Sequence, residues 1–254
     1  MPLMPGAEPF SHDGGPVGVL VLHGFTGSPR SMRPWAEHLA AQGFSVEMPR
    51  LPGHGTTWKD LAVCRWDDWY SETDRAFSAL RDRCDHVFSM GLSVGGSLSL
   101  RLAQLRPDDV SGIVLVNPAV DFHHVLKPLL PLLRHVIPAF PGIINDIKKP
   151  GQDEGGYDKI PLNAFNSVVN DGWKVIKADI GKVRTPVLLM HSREDHTIDP
   201  SDSTWIREHL TGTDVTEIWL EDSYHVATID NDAPLIFDRS VEFVHRLAPW
   251  SGAG

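Results

Sequence analysis

A serine flanked by glycines, Gly91-Leu92-Ser93-Val94-Gly95, follows the apolar run His86 to Met90 and leads directly into a helix-like stretch. This arrangement constrains the fold because it requires a tight strand-to-helix turn. Such a turn holds the serine in a strained backbone and lifts its oxygen out of a sheet. The glycines belong there because the turn presses backbone against backbone, where a β-carbon would clash. The five-residue pattern by itself occurs by chance in many unrelated chains. Its meaning depends on whether a base, an acid and two oxyanion donors occupy matching positions.

The rest of the chain supplies the sheet that the turn needs. Short β-rich runs, Val17–Leu22, Ser45–Pro49, His86–Gly91, Gly112–Val116, Pro186–Met190 and Val215–Leu220, alternate with helical patterns. Those patterns lie near Ser31–Gln42, Trp69–Arg83, Val94–Leu105, Pro200–Leu210 and Pro234–Leu247. Several strand candidates are almost continuously apolar, as strands buried on both faces are. The expected fold is therefore α/β, a mostly parallel central sheet flanked by helices. Between about Pro118 and Asp179 the rhythm fails in a proline- and glycine-rich stretch without a clear strand. This predicts a core of residues 1–117 and 180–254 and a small cap insertion, 118–179, over the carboxyl edge of the sheet. Ligands bind at that edge in open α/β sheets.

Composition narrows the partners. At 254 residues the chain suits one α/β domain with an insertion, and a net charge of −10 argues against a nucleic-acid partner. The two cysteines, Cys64 and Cys84, have no metal-like spacing, and a reduced, cytosolic protein is expected. Met1 to Phe10 lacks the basic-then-apolar pattern of a secretory signal. The apolar region Val125–Ile144 is interrupted by Lys127, Arg134 and four prolines, so it does not read as a membrane span.

A serine hydroxyl is a weak nucleophile at neutral pH and needs a base, for which histidine with a pKa near ~6.5 is suited. Of thirteen histidines, His225 is the best placed, in the loop after the run ending at Leu220. Serine turns of this kind are followed by the acid and then the histidine in chain order. The acid is expected after Pro186–Met190, where Asp195 is the choice and Glu194 and Asp199 are rivals; Asp199-Pro200 also reads as a helix start. His191, Asp195 and His196 form an incomplete metal-like set, and no metal is expected. The developing oxyanion needs two N–H donors. Val94, at the helix start, and Phe25, in His23-Gly-Phe-Thr-Gly27 after the first apolar run, are the candidates. His23 is read as a buttress of that loop and His54, in Gly53-His-Gly55, as structural.

Taken together, His23-Gly-Phe-Thr-Gly27, Gly53-His-Gly55, Asp68-Trp69, Gly91-Leu-Ser-Val-Gly-Gly96, Arg193-Glu-Asp195 and Ser223-Tyr-His-Val-Ala-Thr228 resemble the α/β-hydrolase fold. More narrowly, the chain resembles bacterial monoacylglycerol lipases and related carboxylesterases from about Gly6 to Phe243. Gly6-Ala-Glu-Pro-Phe10, Ser31-Met-Arg-Pro34 and Gly156-Tyr-Asp-Lys-Ile-Pro161 add local matches. The resemblance implies a triad of Ser93, Asp195 and His225, oxyanion donors at Phe25 and Val94, and a cap over the pocket. It also implies that Glu154 meets glycerol hydroxyls and that Ile143 lines an acyl tunnel. His123-His124, Pro128–Leu133 and Trp173 depart from the family pattern.

The expected activity is hydrolysis of a monoacylglycerol to fatty acid and glycerol through an acyl-enzyme, without a cofactor. A broad short- to medium-chain carboxylesterase with the same triad is the first alternative. A non-catalytic ligand-binding or sensor protein on the same fold is the second. The expected partner is a small lipid ester, with transient contact of the cap with a membrane or micelle; oligomeric state is left open.

Overall fold

The computed structural model describes residues 2–125 and 127–249. Met1, residues 250–254 and Leu126, which belongs to the Val125–Ile144 stretch, lie outside the described residues. In chain order the core elements are β1 (Phe10–His12), β2 (Val17–Leu22), α1 (Arg33–Ala41), β3 (Ser45–Met48), α2 (Trp58–Ala62) and α3 (Trp66–Arg81). They continue with β4 (His86–Leu92), α4 (Val94–Leu105) and β5 (Val110–Val116). An excursion then carries α5 (Leu130–Leu133), β6 (Ala139–Pro141), β7 (Lys159–Pro161), α6 (Leu162–Ser167) and α7 (Lys174–Asp179). The chain returns as β8 (Val187–Ser192), α8 (Ser201–His209), β9 (Val215–Leu220) and α9 (Ala233–Leu247).

The seven-stranded sheet has the order β1-β3-β2-β4-β5-β8-β9. All its pairings are parallel except that of β1 with β3. Alternation of side chains across the strands divides the core in two. Leu20, Leu22, Ile113, Leu115, Val187 and Leu189 face Trp69 and Phe77 of α3, Leu98 and Leu102 of α4, and Ile206 of α8. Val19, Val21, Val114, Val116, Leu188 and Met190 face Trp35 and Leu39 of α1 and Ile236 and Val244 of α9. Both faces are apolar, which is why these strands read as nearly continuous apolar runs.

The six expected strands are all present within two residues at either end. Three points differ from expectation. The excursion does contain strands: β6 and β7 pair antiparallel, Phe140 opposite Ile160. Each has three residues and ends in proline, too short to show a two-residue period. Helix α3 begins at Trp66, three residues early, because the Asp68 carboxylate accepts the Arg65 N–H at 2.8 Å and caps the first turn. Strand β1 is the third difference, and at three residues it too is short of a readable period. Among the described residues no helix is long and apolar enough to cross a membrane.

Candidate active site

Ser93 sits between β4 and α4 with φ 57° and ψ −120°. This left-handed backbone costs a non-glycine residue about 1–3 kcal/mol and persists only where its surroundings enforce it. The enforcement is visible. A β-carbon on Gly91 would lie 2.2 Å from the Gly95 carbonyl carbon, and one on Gly95 would lie 2.2 Å from Leu22 O. The Ser93 N–H donates to Val116 O at 3.0 Å, fixing the turn to the next strand. The residue is 7% exposed, at the carboxyl edge of the sheet.

The loop after β9 brings His225 to the same edge, and the loop after β8 brings Asp195. His225 Nδ1 donates to Asp195 Oδ2 at 2.8 Å. The other oxygen, Oδ1, accepts the N–H groups of Thr197 and Ile198, both at 2.8 Å. Burial opposes ionisation of Asp195, yet the charge of His225 and these bonds hold its carboxyl well below the usual carboxylate range. Burial likewise opposes protonation of His225, but the charge and bond of Asp195, aided by Glu154 and Asp146, raise its pKa. The rival acids are engaged elsewhere: Glu194 pairs with Lys148, and Asp199 accepts the Ser201 N–H at the start of α8. Of the metal-like set, His191 Nδ1 is engaged by Ser203 and His196 by Asp146.

The loop after β2 lies against the serine, since a β-carbon on Gly24 would be 3.3 Å from Ser93 Cβ. Phe25 belongs to this loop, and Val94 opens α4, where a helix leaves its N–H groups without intrahelical partners. His23 supports the loop from behind. The Leu51 N–H donates to its Nε2 at 3.1 Å, so its proton is on Nδ1, which donates to Gly24 O at 2.9 Å. Burial lowers its pKa to about 4, suiting a neutral prop. His54 is buried against His23 and Trp69, and burial holds it well below the usual histidine value. Tyr157, from the Gly156–Pro161 match, donates to Gly53 O at 2.9 Å and receives the Thr56 N–H, clamping the excursion to this turn.

Ser93, Asp195 and His225 open into one cavity of about 730 Å³. The excursion supplies much of its wall, including Phe122, Leu130, Phe140, Phe165 and Trp173. Ile143 lines it as well but is 57% exposed, which puts it at the rim. Glu154 lies beside the loop of Phe25: a β-carbon on Gly27 would be 3.8 Å from its Oε2. Its Oε1 accepts the Asn145 N–H at 2.7 Å, and burial raises its pKa. Trp173, among the departures from the family pattern, ends a π-helical turn, Val168–Trp173. Its indole N–H donates to Ser97 Oγ at 3.0 Å, one turn beyond Ser93.

Several supporting residues escaped the sequence reading. Asn117 follows β5 with φ 45°. It accepts the Ser192 N–H at 2.7 Å and donates to His225 O at 2.7 Å, joining the end of β8 to the His225 loop. His191 lies behind the acid, with Nε2 3.5 Å from Asp195 Oδ2 and 3.4 Å from Ile198 O. Both neighbours only accept, so Nε2 carries the proton and Nδ1 accepts from Ser203 Oγ at 2.6 Å. Three buried carboxylates pin the excursion to the core. Asp202 takes the N–H groups of Val120 and Asp121, Asp230 those of Lys148, Lys149 and Tyr224, and Asp146 meets both catalytic-edge loops. Isolated aspartates, in loops or, like Asp202, in the first turn of a helix, carry no sequence signal for such contacts.

A serine hydroxyl, an imidazole bonded to a carboxylate and a helix N-terminus in one cavity is the set that nucleophilic acyl transfer requires. A family model described as serine aminopeptidase, S33 matches residues 17–232. The chain is 39% identical over 250 residues to the thermostable monoacylglycerol lipase of Bacillus sp. (strain H-257), covering 97% of this chain and 98% of that protein. It is 26% identical to the carboxylesterase of Bacillus subtilis (strain 168), covering 94% and 97%. A solved structure from work on LipS and LipT, two metagenome-derived lipolytic enzymes, superimposes with a TM-score of 0.92 at 39% identity, covering 96% of this chain and 100% of that one.

Proposed function

The chain belongs to the serine aminopeptidase, S33 family (Hydrolase_4) of α/β hydrolases, and from that premise we propose that it hydrolyses monoacylglycerols to fatty acid and glycerol. Residues 118–179 act as a cap over the cavity. The observation that carries the reading is the pairing, in one cavity, of apolar walls with a part-buried carboxylate, Glu154, beside the Phe25 loop. A carboxylate accepts hydrogen bonds from two hydroxyls and leaves the acyl chain to the apolar wall. The relative named a monoacylglycerol lipase supports the same substrate.

In this mechanism Ser93 Oγ attacks the ester carbonyl while His225 Nε2 takes its proton. Nε2 is free to do so because Nδ1 holds its proton toward Asp195. The backbone N–H groups of Phe25 and Val94 receive the oxyanion. Glycerol leaves with the proton from His225, and a water deprotonated by the same imidazole then releases the fatty acid. Turnover of a monoacylglycerol is expected to exceed that of diacylglycerols and of aryl acetates. Glu154→Gln is expected to raise the KM for monoacylglycerol about tenfold, the loss of one charged hydrogen bond, with little effect on an aryl ester. Strong preference for aryl acetates with monoacylglycerol hardly touched returns the protein to the carboxylesterase reading.

The cap also exposes Val125, Leu129, Leu132, Val136 and Ile144, together with Ile143 at the cavity rim. Exposed apolar groups of this extent fit transient contact with a lipid surface. The protein is expected to pellet with liposomes, less so after Leu132→Asp with Val136→Asp. Protein that stays wholly in the supernatant removes membrane contact from the account.

A further inference from the structure

Asp146 lies on the cap, yet its contacts run to the two loops that carry the acid and the base. It is 9% exposed. Oδ1 pairs with His196 Nδ1 at 2.8 Å. Oδ2 accepts Thr197 Oγ1–H at 3.1 Å, the His196 N–H at 3.2 Å and the His225 N–H at 3.3 Å. Its backbone carbonyl accepts the Val226 N–H at 3.0 Å. One cap residue thus holds the two residues after Asp195, the base itself, and the residue after the base.

We infer that Asp146 is a positioning residue through which the cap fixes the Asp195 and His225 loops relative to each other and sets a further carboxylate charge beside the imidazole. The inference rests on the reading of Ser93, Asp195 and His225 as a triad. The carboxylate charges acting on His225 are Asp195, bonded to its Nδ1, and then Glu154 and Asp146. Glu154 and Asp146 arrive as one piece of cap. Asn145, immediately before Asp146, donates its N–H to Glu154 and accepts the Glu154 N–H on its side chain. Facing Asp146 from the loop after β8 is His196, whose ring is half exposed and whose pKa the Asp146 bond raises.

The sign of the effect follows from the charges. Each carboxylate beside His225 favours the imidazolium, so removing one lowers the pH at which the base becomes free. Removing the His196 ring takes away the partner that holds Asp146 Oδ1 and, where that ring is protonated, its compensating positive charge, which shifts that pH the other way. Asparagine at position 146 keeps an oxygen for the backbone N–H groups and deletes the charge, while its NH₂ replaces Oδ1 opposite His196 Nδ1.

The test is the pH profile of kcat/KM for a monoacylglycerol and an aryl ester in the wild type, Asp146→Asn, His196→Ala and Asp202→Asn. Asp202 is also a buried cap anchor, but it bonds Val120, Asp121 and His123 instead. Asp146→Asn is expected to move the acid limb down by roughly half a unit or more and to lower kcat on both substrates. His196→Ala, a half-exposed site whose loss the fold tolerates, moves the limb up. Asp202→Asn alters thermal stability and leaves the limb in place. Limbs unmoved in both the Asp146 and His196 variants, or moved equally by Asp202→Asn, overturn the inference. Should Asp146→Asn fail to fold, the upward shift in His196→Ala decides alone. A folded wild type without esterase turnover sinks the triad reading instead, a distinguishable result.

Discussion

Ser93→Ala is expected to lower ester turnover by at least about 10⁴-fold, because a triad without its nucleophile would keep only the contribution of binding and the oxyanion donors. The fold survives the change. The turn at Ser93 is imposed by Gly91 and Gly95 against the backbone of their neighbours and by the Ser93 N–H on Val116, none of which involves the hydroxyl. Fatty-acid release and thermal unfolding, measured on the same preparation, check both halves. A folded Ser93→Ala protein that keeps about a tenth of the wild-type rate, far above that residue of catalysis, would place the nucleophile elsewhere.

Asp195→Asn has the next largest effect, a loss of about 10⁴ in kcat by analogy with the same substitution in a serine protease. Here the direction follows from local geometry. The N–H groups of Thr197 and Ile198 both donate to Oδ1, so the amide of an asparagine must keep its oxygen there. Its NH₂ then faces His225 Nδ1, which has to accept, and the imidazole proton moves to Nε2, the nitrogen that must take the serine proton. The same NH₂ meets the Nε2–H of His191, 3.5 Å from the replaced oxygen. Two donors pointed at each other make the site worse still. Near-normal kcat in a folded Asp195→Asn protein would shift the acid role to another carboxylate.

Much of this site is legible in the amino-acid sequence, for a physical reason. The serine turn needs glycines at two fixed positions, and the loops carrying Asp195, His225 and Phe25 follow strands whose apolar runs mark where they end. Residues that act at strand ends therefore carry a positional signal. Asn117 and His191 share strand-end positions, but nothing in the sequence marks their contacts, which like those of Asp146 in the excursion are made to residues distant along the chain or behind the site. The excursion between β5 and β8 is legible only as a break in rhythm. Its two strands are three residues long, and apart from Tyr157 and Trp173 its attachment to the core depends on isolated carboxylates.

The reading of Ile143 shows the same limit from the other side. A family likeness puts it at the acyl chain, but the backbone leaves it more than half exposed at the rim. Ile143 lines the same cavity as an inner wall that includes Leu130 and an aromatic cluster, Phe122 and Phe165 edge-to-face at 5.0 Å and Phe165 against Trp173 at 5.9 Å. The bond from Trp173 to Ser97 ties that wall to the helix that begins at the serine.

The central claim is that Ser93 alone carries the acyl group. Titration with a fluorophosphonate, followed by intact mass and peptide mapping, tests it most directly. One adduct per chain on the peptide containing Ser93, with monoacylglycerol turnover falling in proportion to labelling, is the predicted result. An adduct on a different residue, or turnover that survives complete labelling of Ser93, would contradict it.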